Sequence, residues 1–501
     1  MPDSASSVPA PARRTLLSAH SPFRNWISLT GLIIAAGSFF AFVFLFAIQT
    51  FTGDRNQYLG ILTFVVAPIF LITGLACILA GWIAHKRQLK RMAPGAAHAL
   101  LTIDLDRPVD RRNFFLFIGG GFVFLLLTAF GSYQTFHYTE SVEFCGTLCH
   151  TVMQPEFVTY QRGEHARVAC VQCHVGGGAG YYVKSKINGA FQLYSLAFDK
   201  YNRPIPTPIH SLRPAQDTCE QCHWPERFTG SLERRYDHVL SDKANTPYTI
   251  RLLLKVGGAR AGQGAGGGIH WHMAKSNKVE YYATDEKRTA VVWVRTTMAD
   301  GRVRVYRKPD FKDEPPPAAI RVMDCVDCHT RPAHSFRPPN DSVEQAIAAG
   351  RISPKLPMIK RAAATVLSAS YATVPEALEK IDAGLRAKFP AGPEVDAAVK
   401  EVQTIYRDNF FPVMKSSWKG YSNNIGHKNW IGCFRCHNDE LLAGAAKPLI
   451  TQNDCNSCHT ILAQGRGAEL QQLAPEGMEF KHPEGEISGM VCSDCHNGGN
   501  Q

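Results

Sequence analysis

The chain holds 501 residues, enough for two to four domains, and neither its hydrophobic fraction of 45% nor its charged fraction of 19% is extreme. Its net charge of +11 points towards nucleic acid only until the charge is located. Residues 1–26 and 84–113 carry ten Lys and Arg against four Asp, which leaves about +5 for everything after residue 131, so no nucleic-acid partner is implied.

Three apolar stretches come first, at residues 27–50, 58–83 and 114–131, none with a charged side chain inside. A membrane helix needs about 20 mainly apolar residues; the first two qualify, and the shorter third has Arg111 and Arg112 before it as an inner-face anchor. Residues 86–112 hold seven Lys and Arg, and Arg13, Arg14 and Arg24 precede the first stretch. Both segments are therefore expected in the cytoplasm, with everything after Gly131 outside. Cleavage of the first stretch as a signal would leave that topology unchanged. Residues 1–131 are read as an N-terminal membrane domain with three transmembrane helices, multi-pass in the cytoplasmic membrane.

Fourteen of the 15 cysteines fall into seven pairs, and His follows the second cysteine of every pair. The motifs are CGTLCH (Cys145, Cys149, His150), CVQCH (Cys170, Cys173, His174), CEQCH (Cys219, Cys222, His223), CVDCH (Cys325, Cys328, His329), CFRCH (Cys433, Cys436, His437), CNSCH (Cys455, Cys458, His459) and CSDCH (Cys492, Cys495, His496). This spacing suits c-type haem: two thioethers fix the porphyrin and the adjacent imidazole is carried onto the iron. Zinc knuckles and disulfides do not explain a His after all seven pairs. Cys77, inside an apolar stretch, reads as an inert small hydrophobe. Seven haems bring the region after residue 131 to roughly −9 before the iron charge is counted. Haem attachment belongs to the export side of the membrane, in a Gram-negative cell the periplasm.

Residues 132–337 hold four motifs, with a β insertion at about 246–308 where YTIRLLLKV, VEYYATD and VVWVRTTMADGRVRVY alternate and Asp300-Gly301 signals a hairpin turn. GGARAGQGAGGG, at 257–268, lacks the context of a phosphate loop and reads as a flexible loop. Residues 338–412 lack cysteine and form a haem-free helical spacer: Thr373 and Glu376 make a capping-box pattern, and Val395, Val399, Val402 and Tyr406 recur at helical spacing. Residues 413–501 pack three motifs into a C-terminal trihaem domain. The expected fold is a membrane-anchored multihaem cytochrome c, with a mainly α and irregular haem-packed extracytoplasmic region.

Each motif His supplies one axial ligand, and nine further histidines could supply the second: His137, His165, His210, His238, His270, His272, His334, His427 and His482. His165, His334, His427 and His482 rank first because each lies near a motif. His270 and His272, in IHWHM, are expected on one face of a strand, where one or both ligate; His210 and His238 follow, and His137 ranks last. Met153, three residues after His150, is the thioether alternative for the first haem. Saturated irons leave no position for an inorganic substrate, which favours electron transfer over substrate chemistry at iron.

From about Phe130 to His334 the chain resembles the NapC/NirT family of membrane-anchored tetrahaem quinol dehydrogenases: FCGTLCHTVMQPEF, GEHARVACVQCHV, KSKINGAFQLY, DTCEQCH and CVDCHTRPAH. It departs from that pattern in its extra helices, in its CxxxCH first motif and in its tail, GCFRCHNDE, NDCNSCH and FKHPEGEISGMVCSDCHNG. The extended layout resembles the heptahaem inner-membrane quinol oxidases of metal-respiring bacteria. The resemblance implies His165 and His334 as distal ligands and a quinol site near the first haem. Lys184 and Lys186 resemble the family's lysine position there, and Glu156 with Glu143 is the acidic alternative for taking up quinol protons. The expected substrate is a membrane quinol, and the expected partners are the lipid bilayer and periplasmic c-type cytochromes or other redox carriers. A non-catalytic relay subunit and a terminal reductase with one open haem are the alternatives.

Overall fold

The computed structural model describes residues 25–52, 66–91, 106–148, 150–176, 179–207, 209, 213–258, 268–444, 450–452, 454–485 and 492–496. Arg13, Arg14, Arg24, Cys149, His210, the side chain of His150, the start of the second apolar stretch and most of the 257–268 loop lie outside them. The chain divides into two compact units, Met1–Thr139 with Gly177–Ile187, and Glu140–Gly176 with Asn188–Gln501.

In the first unit, α1 (Trp26–Thr52) packs on α2 (Ala67–Arg91), and α3 (Pro108–Thr139) follows. Two spans, Trp26–Val43 and Ala67–Gln88, are long and apolar enough to cross a membrane. Lipid offers no hydrophobic drive between helices, so close backbone approach at small residues must hold such a pair. A Cβ added at Gly31 would lie 2.6 Å from the Gly74 carbonyl, and one at Gly74 would lie 2.6 Å from the Ala35 nitrogen. Ser28 Oγ donates to the Ile78 carbonyl at 3.2 Å, and Asn25 Nδ2 donates to the Gly81 carbonyl at 3.1 Å. The large apolar side chains Phe40 and Ile72 stay exposed, as lipid-facing residues do, and Leu116 and Phe122 on α3 are exposed as well.

The second unit opens on α4 (Val142–Thr147), capped by Ser141, whose hydroxyl accepts from the Phe144 amide at 3.0 Å. Then come α5 (His150–Gln161) and α6 (Cys170–His174); α7 (Ala179–Ala197) runs on from them in sequence. Where a motif forms a single helical turn, as in α6, its cysteines stand three residues apart on one face.

Four helices build the main apolar core: α8 (Pro339–Ala348), α9 (Ile359–Ser368), α10 (Val374–Arg386) and α11 (Pro393–Asn409). Thr373 caps α10, and the Glu376 carboxylate accepts from the Ala372 amide at 2.8 Å. Val395, Val399, Val402 and Tyr406 fall on one face of α11 and are all buried. Val343, Ile359, Leu367, Ile381 and Leu385 are completely buried beside them.

Among the described residues, seven strands make two antiparallel sheets. β1 (Leu232–Val239), β2 (Pro247–Leu254) and β7 (His459–Gly465) form one in the order β1-β2-β7. β3 (Lys278–Ala283), β4 (Val291–Thr297), β5 (Val303–Arg307) and β6 (Arg321–Val322) form the other in the order β5-β4-β3-β6. Gly301, at φ +80°, turns the β4–β5 hairpin. Strand structure thus begins before residue 246, and the first sheet takes its third strand from the chain after the sixth motif. β2 needs that partner because its other edge would otherwise carry unpaired backbone groups. IHWHM is not a strand: Ile269–Met273 is a 3₁₀ turn, because its carbonyls bend inward to meet its own residues instead of a neighbouring strand.

Candidate haem sites

The motif histidines meet the other histidines in pairs. Ring centroids are separated by 6.3 Å for His174 and His334, 6.1 Å for His223 and His165, and 6.4 Å for His329 and His270. The separations are 5.7 Å for His437 and His272, 6.1 Å for His459 and His427, and 6.0 Å for His496 and His482. Metal–imidazole bonds are about 2 Å long, so two rings on opposite sides of one metal have centroids about 6 Å apart. All six described motif histidines therefore face a second imidazole at the distance a shared iron sets.

The ring nitrogens are oriented for it. A backbone carbonyl can only accept, so the imidazole facing it donates from Nδ1 and keeps the Nε2 lone pair for metal. His334 faces the Glu156 carbonyl at 2.8 Å, His270 that of Val256 at 2.6 Å, His272 that of Ile269 at 2.9 Å and His165 that of Pro332 at 3.2 Å. His482 differs, its Nδ1 lying 3.3 Å from the Glu484 amide. Nδ1 of His427 and Nδ1 of His459 are buried without a hydrogen-bond partner. Burial, then the facing His272, pushes His437 down to about 4; burial, then Lys428 and His482, does the same to His496. Burial is likewise the first cause holding His174, His329, His334, His427 and His459 below the ordinary imidazole value. Neutral imidazole is the form that binds a metal. These residues fit c-type haem.

The sites are chained in motif order. Cys145 lies beside Cys170, and Cys325 lies beside Cys219. Between these contacts Cys173 lies in electrostatic reach of Cys219 and Cys222, and beyond them Cys328 lies in reach of Cys433. Cys433 then neighbours Cys458, and Cys455 neighbours Cys492. No described cysteine is in a disulfide.

The remaining candidates stand elsewhere. His238 gives its Nδ1 to Glu344 Oε2 at 2.9 Å and faces no motif histidine among the described residues. His137 is exposed, its ring 4.3 Å from that of Tyr133. Met153 is half-buried on α5, one turn after His150. Lys184 and Lys186 are exposed on α7, Lys186 Nζ lying 4.8 Å from the Tyr182 ring centre. Glu143 is exposed in the first turn of α4. Glu156 is buried and ion-paired with Arg331, whose guanidinium lies 4.0 Å from the Tyr421 ring centre. Its backbone also orients His334, so it is engaged in holding a histidine.

Sequence reasoning missed four buried charged residues: Asp327, Arg435, Glu344 and Lys360. Asp327 and Arg435 occupy the variable positions of their motifs, the only sequence signal available for them.

A model of the N-terminal region of the NapC/NirT cytochrome c family matches residues 108–206. The chain is 39% identical over 493 residues to the cytochrome c-type protein ImcH of Geobacter sulfurreducens, covering 94% of this chain and 95% of that protein. No solved structure matches. The chain belongs to the NapC/NirT family of cytochromes c, as a membrane-anchored multihaem cytochrome engaged in electron transfer.

Proposed function

We propose that this protein oxidises a membrane quinol and passes the electrons through seven c-type haems to periplasmic electron carriers. The observation that carries the reading is the set of six facing imidazole pairs, chained in motif order. An iron with two imidazoles has no open position for substrate, so these sites are built to relay. Bound there, the haems supply one-electron carriers along the chain.

On this reading residues 1–131 span the inner membrane three times, the third span lying within α3, and residues 132–337 form a tetrahaem domain with its β insertion. Residues 338–412 are the haem-free spacer and 413–501 the trihaem domain, all three facing the periplasm. The facing pairs support a reading in which His334, His165, His270, His272, His427 and His482 are the distal ligands of the second to seventh motifs in that order. The first site keeps His150 with Met153 or a further histidine. Quinol docks near the first haem site, and its protons pass to Glu143, Lys184 or Lys186 as its electrons leave. Glu156 is the least suited of the acidic candidates, because Arg331 already holds it.

A menaquinol analogue added to the purified, oxidised protein tests the proposal. Reduction of haem absorbance without any partner subunit is expected; a spectrum that stays oxidised until a second subunit is added would make the chain a relay subunit instead.

A further inference from the structure

The fourth and fifth motifs are separated by more than a hundred residues, yet two independent ties hold them together. The first is the Ile269–Met273 turn. His270 faces the fourth motif's His329 and His272 faces the fifth motif's His437. Five residues therefore serve both sites, and the Trp271 carbonyl between them accepts from Asn277 Nδ2 at 3.1 Å.

The second tie runs between the motifs themselves. Arg435, inside CFRCH, is 5% exposed; it donates through Nη2 to the carbonyl of Asp327, inside CVDCH, and through Nη1 to the Arg288 carbonyl at 3.1 Å. The Asp327 carboxylate is wholly buried and accepts from Tyr281 Oη at 2.8 Å, Arg321 Nε at 2.7 Å and Arg288 Nη1 at 3.3 Å. Asn424 Nδ2 adds a further bond to the Asp327 carbonyl at 3.0 Å. A buried guanidinium is costly unless its donors are filled. Here a planar fork spans two carbonyls from separate segments, a geometry lysine cannot reproduce.

We propose that Arg435 and the Ile269–Met273 turn form a rigid joint fixing the fourth haem site against the fifth, with Arg435 as the positioning residue for passage between the first four sites and the last three. The inference rests on the bis-imidazole reading of these sites. One electron crosses the joint at a time, and no bond forms or breaks.

The test uses the full, haem-loaded chain in detergent, with Arg435→Met, Arg435→Lys and Asn277→Ala. Haem number by intact mass, the low-spin spectrum and time-resolved reduction are read together. Arg435→Met is expected to keep seven haems and a low-spin spectrum, while reduction of the last fraction of haem absorbance slows at least about ten-fold, since small misplacements cost large factors in rate. Arg435→Lys falls between it and the parent. Unchanged reduction in Arg435→Met would overturn the proposal. If Arg435→Met loses haem, Arg435→Lys and Asn277→Ala decide: a slowed last phase in either supports the joint, and parental kinetics in both overturns it. His272→Ala separately checks the underlying reading, since it must create a high-spin haem. A spectrum unchanged in that variant refutes the ligand assignment whatever the Arg435 variants do.

Discussion

Replacing Glu344 by Gln will destabilise the large unit by about 3–5 kcal/mol, the usual result of breaking a buried ion pair from one side. Glu344 lies on α8 with its side chain 6% exposed; it accepts from His238 Nδ1 at 2.9 Å and Lys360 Nζ at 2.7 Å, with Lys428 Nζ at 3.9 Å. It thereby ties α8 to α9, to β1 and to the loop beside His427. Burial alone would raise its pKa, but the His238 hydrogen bond and the charges of Lys428 and Lys360 outweigh it and hold the carboxyl at about 2. Against the ordinary 4.5, that is worth about 3 kcal/mol at neutral pH. The two routes agree. Because the folded value is the lower one, this stabilisation is fully present above about pH 4.5 and is lost as pH falls towards 2. Urea unfolding of the full chain at pH 7, followed by far-ultraviolet circular dichroism and Soret absorbance, gives the difference. Adding Lys360→Met to Glu344→Gln removes the stranded cation and should recover most of the loss. A single variant within about 1 kcal/mol of the parent, or a double variant as unstable as the single, would refute the reasoning.

His427→Ala should turn one low-spin haem into a high-spin, ligand-binding one, whereas His238→Ala should leave every haem low-spin; electronic spectra of both ferric proteins read this directly. Gly74→Val drives a side chain into the Ala35 backbone and should lower the stability of the α1–α2 pair by about 1–3 kcal/mol or more, seen as an earlier melt in detergent and less haem-loaded protein in membranes. If a single group among Glu143, Lys184 and Lys186 takes the quinol proton, Glu143→Gln, Lys184→Ala or Lys186→Ala will cut quinol-driven reduction by about 10²-fold with dithionite reduction unchanged. Parental rates in all three would remove these residues from the proton path.

The haem motifs were legible because they are local: two sulfurs and an imidazole within five or six residues need no tertiary information. The distal partners were only half legible. Nearness to a motif picks out His165, His334, His427 and His482; His165 faces the third motif's His223, His334 the second motif's His174 and His427 the sixth motif's His459, each passing over the motif beside it, while His482 faces His496 of the motif it precedes. Which motif a nearby histidine serves is decided by packing, not by distance along the chain. His238 illustrates the converse. It has the right residue type in a haem-rich region, but its pairing with Glu344 depends on a helix that arrives over a hundred residues later. The α11 stripe of Val395, Val399, Val402 and Tyr406 was readable from its period, whereas β7 was not, because His459 closes a haem motif before it opens a strand. IHWHM alternates like a strand and folds as a turn, where serving two sites overrides the local pattern.

The claim on which the rest depends is that imidazole pairs saturate the irons. Near-infrared magnetic circular dichroism of the fully oxidised protein measures it most directly, since bis-imidazole haem has its own charge-transfer band. The six facing pairs predict that band at an intensity equal to six haems or more, with no shift on adding nitrite. A band worth four haems or fewer, or a high-spin signal that answers to nitrite at two or more sites, would contradict it.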